Sequence, residues 1–93
     1  MPAFRNTPID VVIDVRTKVE FWLGHLDGAI NIPVDQLPDA MASHPEITPE
    51  SRILVYCAAG ARSAAAAQRL AGAGFTRVTD GGGIGDARSG FTP

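Results

Sequence analysis

The sequence predicts an α/β fold, a mainly parallel β-sheet with helices on both faces. Three observations predict it. Two apolar runs, "DVVIDV" (10–15) and "RILVYC" (52–57), are rich in β-branched residues and lack the polar alternation of a half-solvated strand; both read as strands buried on two faces. Segments with helix signals follow each run, so the connections are crossovers and the strands parallel. The only cysteine, Cys57, stands where the second run gives way to a helix, at a carboxyl strand end, where open α/β sheets bind ligands.

Each element has a local justification. After the first strand, Thr17 caps a short helix in "TKVEFWLG", with Glu20 three residues on and Gly24 ending it. "AINIP" (29–33) is a second short strand stopped by Pro33, and "VDQLPDAMAS" is a helical turn or short helix interrupted near Pro38. "HPEITPES" (44–51), with two prolines, is a loop. After residues 52–57, Ala66, Leu70 and Ala73 recur at helical spacing, with Ala67 and Ala71 beside them and Gly72 and Gly74 at the end. "TRVTD" (76–80) is a last strand, "GGG" (81–83) a turn, and the tail "IGDARSGFTP" holds one turn of helix.

Length and composition bound the function. The 93 residues suit one domain, 1–93, with 45% apolar residues and a formal net charge of −2. No basic run exists, so nothing argues for nucleic acid or a membrane surface as partner. No apolar stretch reaches the roughly 18 residues that a membrane span needs. The start, "MPAFRNTP", lacks the regions of a signal peptide. One cysteine forms neither an internal disulfide nor a cysteine-based metal site. A soluble cytoplasmic protein with a free thiol is expected, and no metal.

The loop "CAAGARS" (57–63) is where chemistry is expected. A strand-to-helix loop turns backbone N–H groups inward, and the helix start adds its dipole. Arg62 adds a full positive charge, and Ser63 caps the helix. All favour thiolate over thiol at Cys57. Ala58, Ala59, Gly60 and Ala61 are small enough for their amides to approach a bound group, and Gly60 can take positive φ. The competing reading makes Cys57 a small buried hydrophobe. Asp14 and Arg16 face the same carboxyl edge and either support the site or leave Arg16 to pair with Glu20. His25 is a structural histidine in a turn rather than a base, and His44 is solvated. Phe21 and Trp22 cannot both be buried, and an exposed Trp22 would mark a contact surface.

Together the motifs "DVR" (14–16), "E-F-x-x-G-H-x-x-G-A-I-N-I-P" (20–33), "ILVYCAAGARS" (53–63), "A-x-x-L-x-x-x-G-F" (67–75) and "GG" (82–83) resemble a rhodanese domain, in order and spacing, from about residue 9 to the end. The resemblance implies a small rhodanese-like fold and a sulfurtransferase. Cys57 would accept a sulfane sulfur from a donor such as thiosulfate, hold it as a persulfide, and pass it to cyanide, a thiol or a protein cysteine. It implies no cofactor. The amides of residues 58–63 would stabilise the persulfide, and Arg62 would close the loop and attract an anionic donor.

Three departures from the family pattern carry expectations. Little chain precedes residue 10, which leaves a sheet edge less covered and makes the protein a monomer or a weak homodimer. The tryptophan common after "GG" is missing, which loosens that wall. The loop side chains carry a single charge, which favours a persulfide donor over dianionic thiosulfate. Two other functions compete. Phosphatases and arsenate reductases related by fold hold an oxyanion in such a loop, but theirs is one residue longer than the "AAGA" between Cys57 and Arg62. A binding module without turnover would not need Cys57 and Arg62.

Overall fold

The computed structural model describes residues 1–93. The chain begins with two strands of two residues, β1 (Ala3–Phe4) and β2 (Thr7–Pro8), joined by a turn in which Arg5 and Asn6 have positive φ. β3 (Val11–Asp14) then enters the core, and α1 (Lys18–Trp22) leads to β4 (Ile30–Asn31). Two 3-10 turns, Val34–Gln36 and Asp39–Ser43, fill the stretch expected to be a helical turn or short helix interrupted near Pro38. β5 (Ile53–Cys57), α2 (Ala61–Gly72), β6 (Val78–Gly83), α3 (Ile84–Gly90) and β7 (Phe91–Thr92) complete the chain.

The main sheet has the order β4-β3-β5-β6, and every pairing in it is parallel. The expected architecture is therefore present. Its centre is β5, all five residues of which are buried. Successive side chains of a strand point to opposite faces, and β5 sorts them accordingly. Ile53, Val55 and Cys57 pack with Ile13, Val15, Ile32, Met41, Ala66 and Leu70 on the α2 face. Leu54 and Tyr56 pack with Phe4, Ile9, Val12, Leu26 and Ala87 on the α3 face. Burying such a strand on both faces stabilises it by about 1.5–3 kcal/mol for each large aliphatic side chain.

Four sequence expectations change. Residues 1–9 are not a bare edge: β1 pairs with β2 and with β7 from the other end of the chain, and Phe4 is buried against the second core. The "GGG" run is not a turn but the end of β6, where pairing with β5 slips between Val55 and Cys57. Such a bulge re-aims a strand end. The tail forms a two-turn helix, α3, whose Ala87 is fully buried. Ala73 lies past the end of α2 as its C-cap and is exposed, so the buried stripe of that helix is Ser63, Ala66 and Leu70.

Candidate active site

β5 delivers Cys57 to the carboxyl edge of the sheet, and four residues later the chain has become α2. The turn is that abrupt because Gly60, the N-cap of α2, has φ +107°, a conformation that side chains disfavour. It directs the Gly60 N–H at the sulfur, and Cys57 Sγ accepts it at 2.9 Å. Burial raises the thiol's pKa. The Ser63 amide and hydroxyl and the Gly60 and Ala59 amides outweigh it, and the net direction is downward. The Ser63 hydroxyl has one proton to give, and its 2.9 Å contact assigns that proton to the Gly60 carbonyl. The backbone donors therefore carry the effect. Ser63 is not the expected cap: it lies inside the helix and its hydroxyl braces the loop.

Cys57 is both buried and hydrogen-bonded. The residue is 1% exposed and belongs to the α2-face core, yet its sulfur meets backbone donors rather than apolar atoms alone. The opposite wall of the loop is the end of β6. A Cβ added to Gly83 would stand 2.8 Å from the Ala58 carbonyl oxygen and 3.4 Å from Ala59 Cα. Only a glycine lets the two backbones approach this closely. The sequence signalled a glycine run there but not that it would wall the sulfur site.

Arg62 departs from expectation. It is on the first turn of α2, but its guanidinium turns to α1 and forks onto Glu20, Nη1 to Oε1 at 2.6 Å and Nη2 to Oε2 at 3.0 Å. The sequence pairing of Arg16 with Glu20 is thereby excluded: Glu20 belongs to Arg62. The same carboxylate accepts the Thr17 N–H at 3.0 Å and a bond from the Thr17 hydroxyl, while Thr17 Oγ1 accepts the Glu20 N–H, so the expected capping box is present. The Arg62 hydrogen bonds, then the Thr17 amide, hold the Glu20 carboxyl down at about 2. Backbone and hydroxyl donors, not Arg62, are the chief influences that lower the thiol; the Arg62 guanidinium is held charged first by its hydrogen bonds to Glu20 and more weakly by the charge at Cys57.

Arg16 instead turns back to Asp14. The Arg16 amide and Nε donate to Asp14 Oδ1 at 2.9 and 3.0 Å, and Nη2 donates to Oδ2 at 2.6 Å. Both residues are buried. Nη2 also donates to the Gly24 carbonyl at 2.7 Å, and the guanidinium lies over the Tyr56 ring. Asp14 pairs in register with Tyr56, the residue before Cys57. The two supporting residues thus reach the same edge but occupy the face away from the sulfur.

The remaining candidates are placed plainly. His25 stacks on Phe21 and its Nδ1 contacts the Phe21 carbonyl at 2.9 Å, a structural role. His44 is half-buried, with Nδ1 3.6 Å from Glu46. Trp22 is 82% exposed, and Val19 and Leu23 beside it are exposed as well. A cavity of about 300 Å³ lined by His25, Leu26, Asp27, Arg88, Phe91 and Pro93 contains no residue of the Cys57 loop. No helix is long and apolar enough to cross a membrane. The site can hold a negatively charged sulfur on backbone donors. Its loop offers no side-chain acid to protonate a leaving alkoxide.

The rhodanese-like domain family matches residues 3–83. Thiosulfate sulfurtransferase PspE of Escherichia coli (strain K12) is 36% identical over 76 residues, 80% of this chain and 70% of that protein. A tRNA uridine(34) hydroxylase of Enterobacter sp. (strain 638) is 35% identical over 80 residues, which cover 82% of this chain but 23% of that protein. The solved structure described as rhodanese with anions from E. coli superposes with a TM-score of 0.76 at 34% identity, over 82% of this chain and 88% of that one.

Proposed function

This chain belongs to the rhodanese-like domain family, and on that premise we propose that it is a sulfurtransferase carrying a sulfane sulfur as a persulfide on Cys57. The observation that carries the reading is the Gly60 N–H donated to the Cys57 sulfur at 2.9 Å in a loop that favours thiolate. The thiolate attacks the outer sulfur of thiosulfate. The new S–S bond forms as the old one breaks, leaving Cys57–S–S⁻ and releasing sulfite. Cyanide, a thiol or a protein cysteine then attacks the outer sulfur and regenerates the thiolate; with cyanide the product is thiocyanate. Charge and atoms balance at each step without a cofactor. The amides of Ala58, Ala59, Gly60, Ala61 and Arg62 line the loop that receives the outer sulfur, a form of electrostatic preorganisation. Asp14 and Arg16 hold the strand edge from behind. The protein works in the cytoplasm, as a monomer or a weak homodimer.

Intact mass after incubation with thiosulfate tests the reading. A gain of one sulfur atom is expected, reversed by a thiol reductant and missing in Cys57→Ser, whose hydroxyl forms no persulfide. A protein that gains no sulfur from any sulfane donor would sink it. The exposure of Trp22, Val19 and Leu23 favours a second reading, a module that docks a partner without turnover; the same experiment decides between the two.

A further inference from the structure

One acidic residue outside the loop pairs with the loop's only charged side chain. Glu20 stands on α1, 42 residues before Arg62, and takes both guanidinium nitrogens. It is not free to swing away, because the Thr17 amide and hydroxyl hold the same Oε1. The other loop residues, Ala58 to Ala61, carry no charge. The mouth therefore presents a matched pair, not a free cation, to an arriving donor.

We propose that Glu20 is a specificity-determining residue, which neutralises Arg62 and so selects sulfur donors of low charge, of the thiol persulfide class, over dianionic ones. This rests on the sulfurtransferase reading. Such a donor reacts as R–S–SH with the Cys57 thiolate: the outer sulfur forms its bond to Sγ, the R–S bond breaks, and the thiolate R–S⁻ leaves with the electron pair. Cys57–S–SH results. No dianion needs to be desolvated and no free cation is required. The ion pair of Arg62 is then a brake on thiosulfate rather than an attractor.

The test compares donors differing by one charge, thiosulfate and the monoanion benzenethiosulfonate, with cyanide as acceptor. Glu20→Gln keeps a side chain able to complete the capping box but frees the Arg62 charge. It is expected to raise kcat/KM about tenfold for the dianion and about threefold for the monoanion at low salt, since the Coulomb energy doubles with donor charge. The gain should vanish in the E20Q/R62Q double variant. Equal gains for the two donors, no gain, or a gain that survives R62Q would overturn the proposal while leaving the sulfurtransferase reading intact. Transfer from neither donor would overturn both. Should E20Q not fold, the native protein reads the same point: with a neutral mouth, its thiosulfate kcat/KM should change less than about twofold between about 20 and about 200 mM salt. A steep fall with salt would mean an unmatched cation and end the proposal.

Discussion

Two arginine–carboxylate pairs stand at the carboxyl edge of one sheet, and they differ in what surrounds them. Asp14 and Arg16 are buried, 0% and 9% exposed at the side chain, while Glu20 and Arg62 are 32% and 36% exposed. The nearest nitrogen–oxygen distance is 2.6 Å in both. Geometry is thus no guide to what a pair is for. The inner pair is surrounded by protein partners, the Gly24 carbonyl and the Tyr56 ring, so it is committed to the frame. The outer pair faces water and the loop mouth. Removing one member of a buried pair strands the other charge, whereas an exposed pair holds less than about 1 kcal/mol and can be altered for what it does to an incoming ligand.

Breaking the inner pair should give the largest effect. Asp14→Ala leaves the Arg16 charge buried without its carboxylate, held only by the Gly24 carbonyl and the Tyr56 ring, at a cost of about 3–5 kcal/mol. Chemical denaturation should show a large share of the protein's stability gone, because small domains have only about 5–15 kcal/mol in all. A loss below about 1 kcal/mol would make the two pairs equivalent and dissolve the contrast.

Crowding the wall of the loop comes next. Gly83→Ala puts a methyl group 2.8 Å from the Ala58 carbonyl, so the loop must move. Overpacking of this kind costs about 1–3 kcal/mol. The loss of sulfur transfer should exceed what the lost stability explains at a temperature where the variant is fully folded. Unchanged kcat/KM would show that the loop tolerates displacement.

Arg62→Ala attacks the outer pair and should separate activity from stability. The unfolding free energy should change by under about 1 kcal/mol. Thiosulfate kcat/KM should fall about tenfold, because Glu20 is left facing the mouth unmatched. Parallel losses of stability and transfer would make the outer pair as structural as the inner one.

The smallest effect is on acid stability. Arg62 and the Thr17 amide hold the Glu20 carboxyl at about 2, below an ordinary 4.5, and Arg52 holds Asp10 at about 2, below 3.8. A carboxylate depressed on folding stabilises the native state above its unfolded value, and that contribution is lost as pH falls through the folded value. Stability should therefore decline from about pH 4.5 towards about 2. Glu20→Gln and Asp10→Asn should each flatten the curve there in acid-titrated thermal melts. An identical slope in either variant would mean that its pair contributes nothing.

What could be read from the sequence was local. The apolar runs of β3 and β5, the helices between them, the capping box of Thr17 and Glu20, and Cys57 at a strand end all follow from residues within a few positions of one another. Burial on two faces needs continuous apolar runs, and a cap needs a donor and acceptor three residues apart. The short β1 and β2 carried no such signal, because two-residue strands have no readable period. β1 is held from the far end of the chain by β7.

Tertiary structure alone decided which carboxylate each arginine takes. Asp14 and Glu20 both lie within four positions of Arg16, so sequence spacing could not choose between them. Burial could: a desolvated Asp14 requires its cation at once, and Arg16, two residues away and equally buried, supplies it. Glu20, left at the surface on α1, is free to reach Arg62 only because parallel crossovers bring α1 and the start of α2 to the same sheet edge. The approach of Gly83 to Ala58 is of the same kind, set by how β6 slips against β5 rather than by any neighbour in the chain. The position of the one thiol at a strand end was local information; the charge and shape around it were settled by contacts between distant segments.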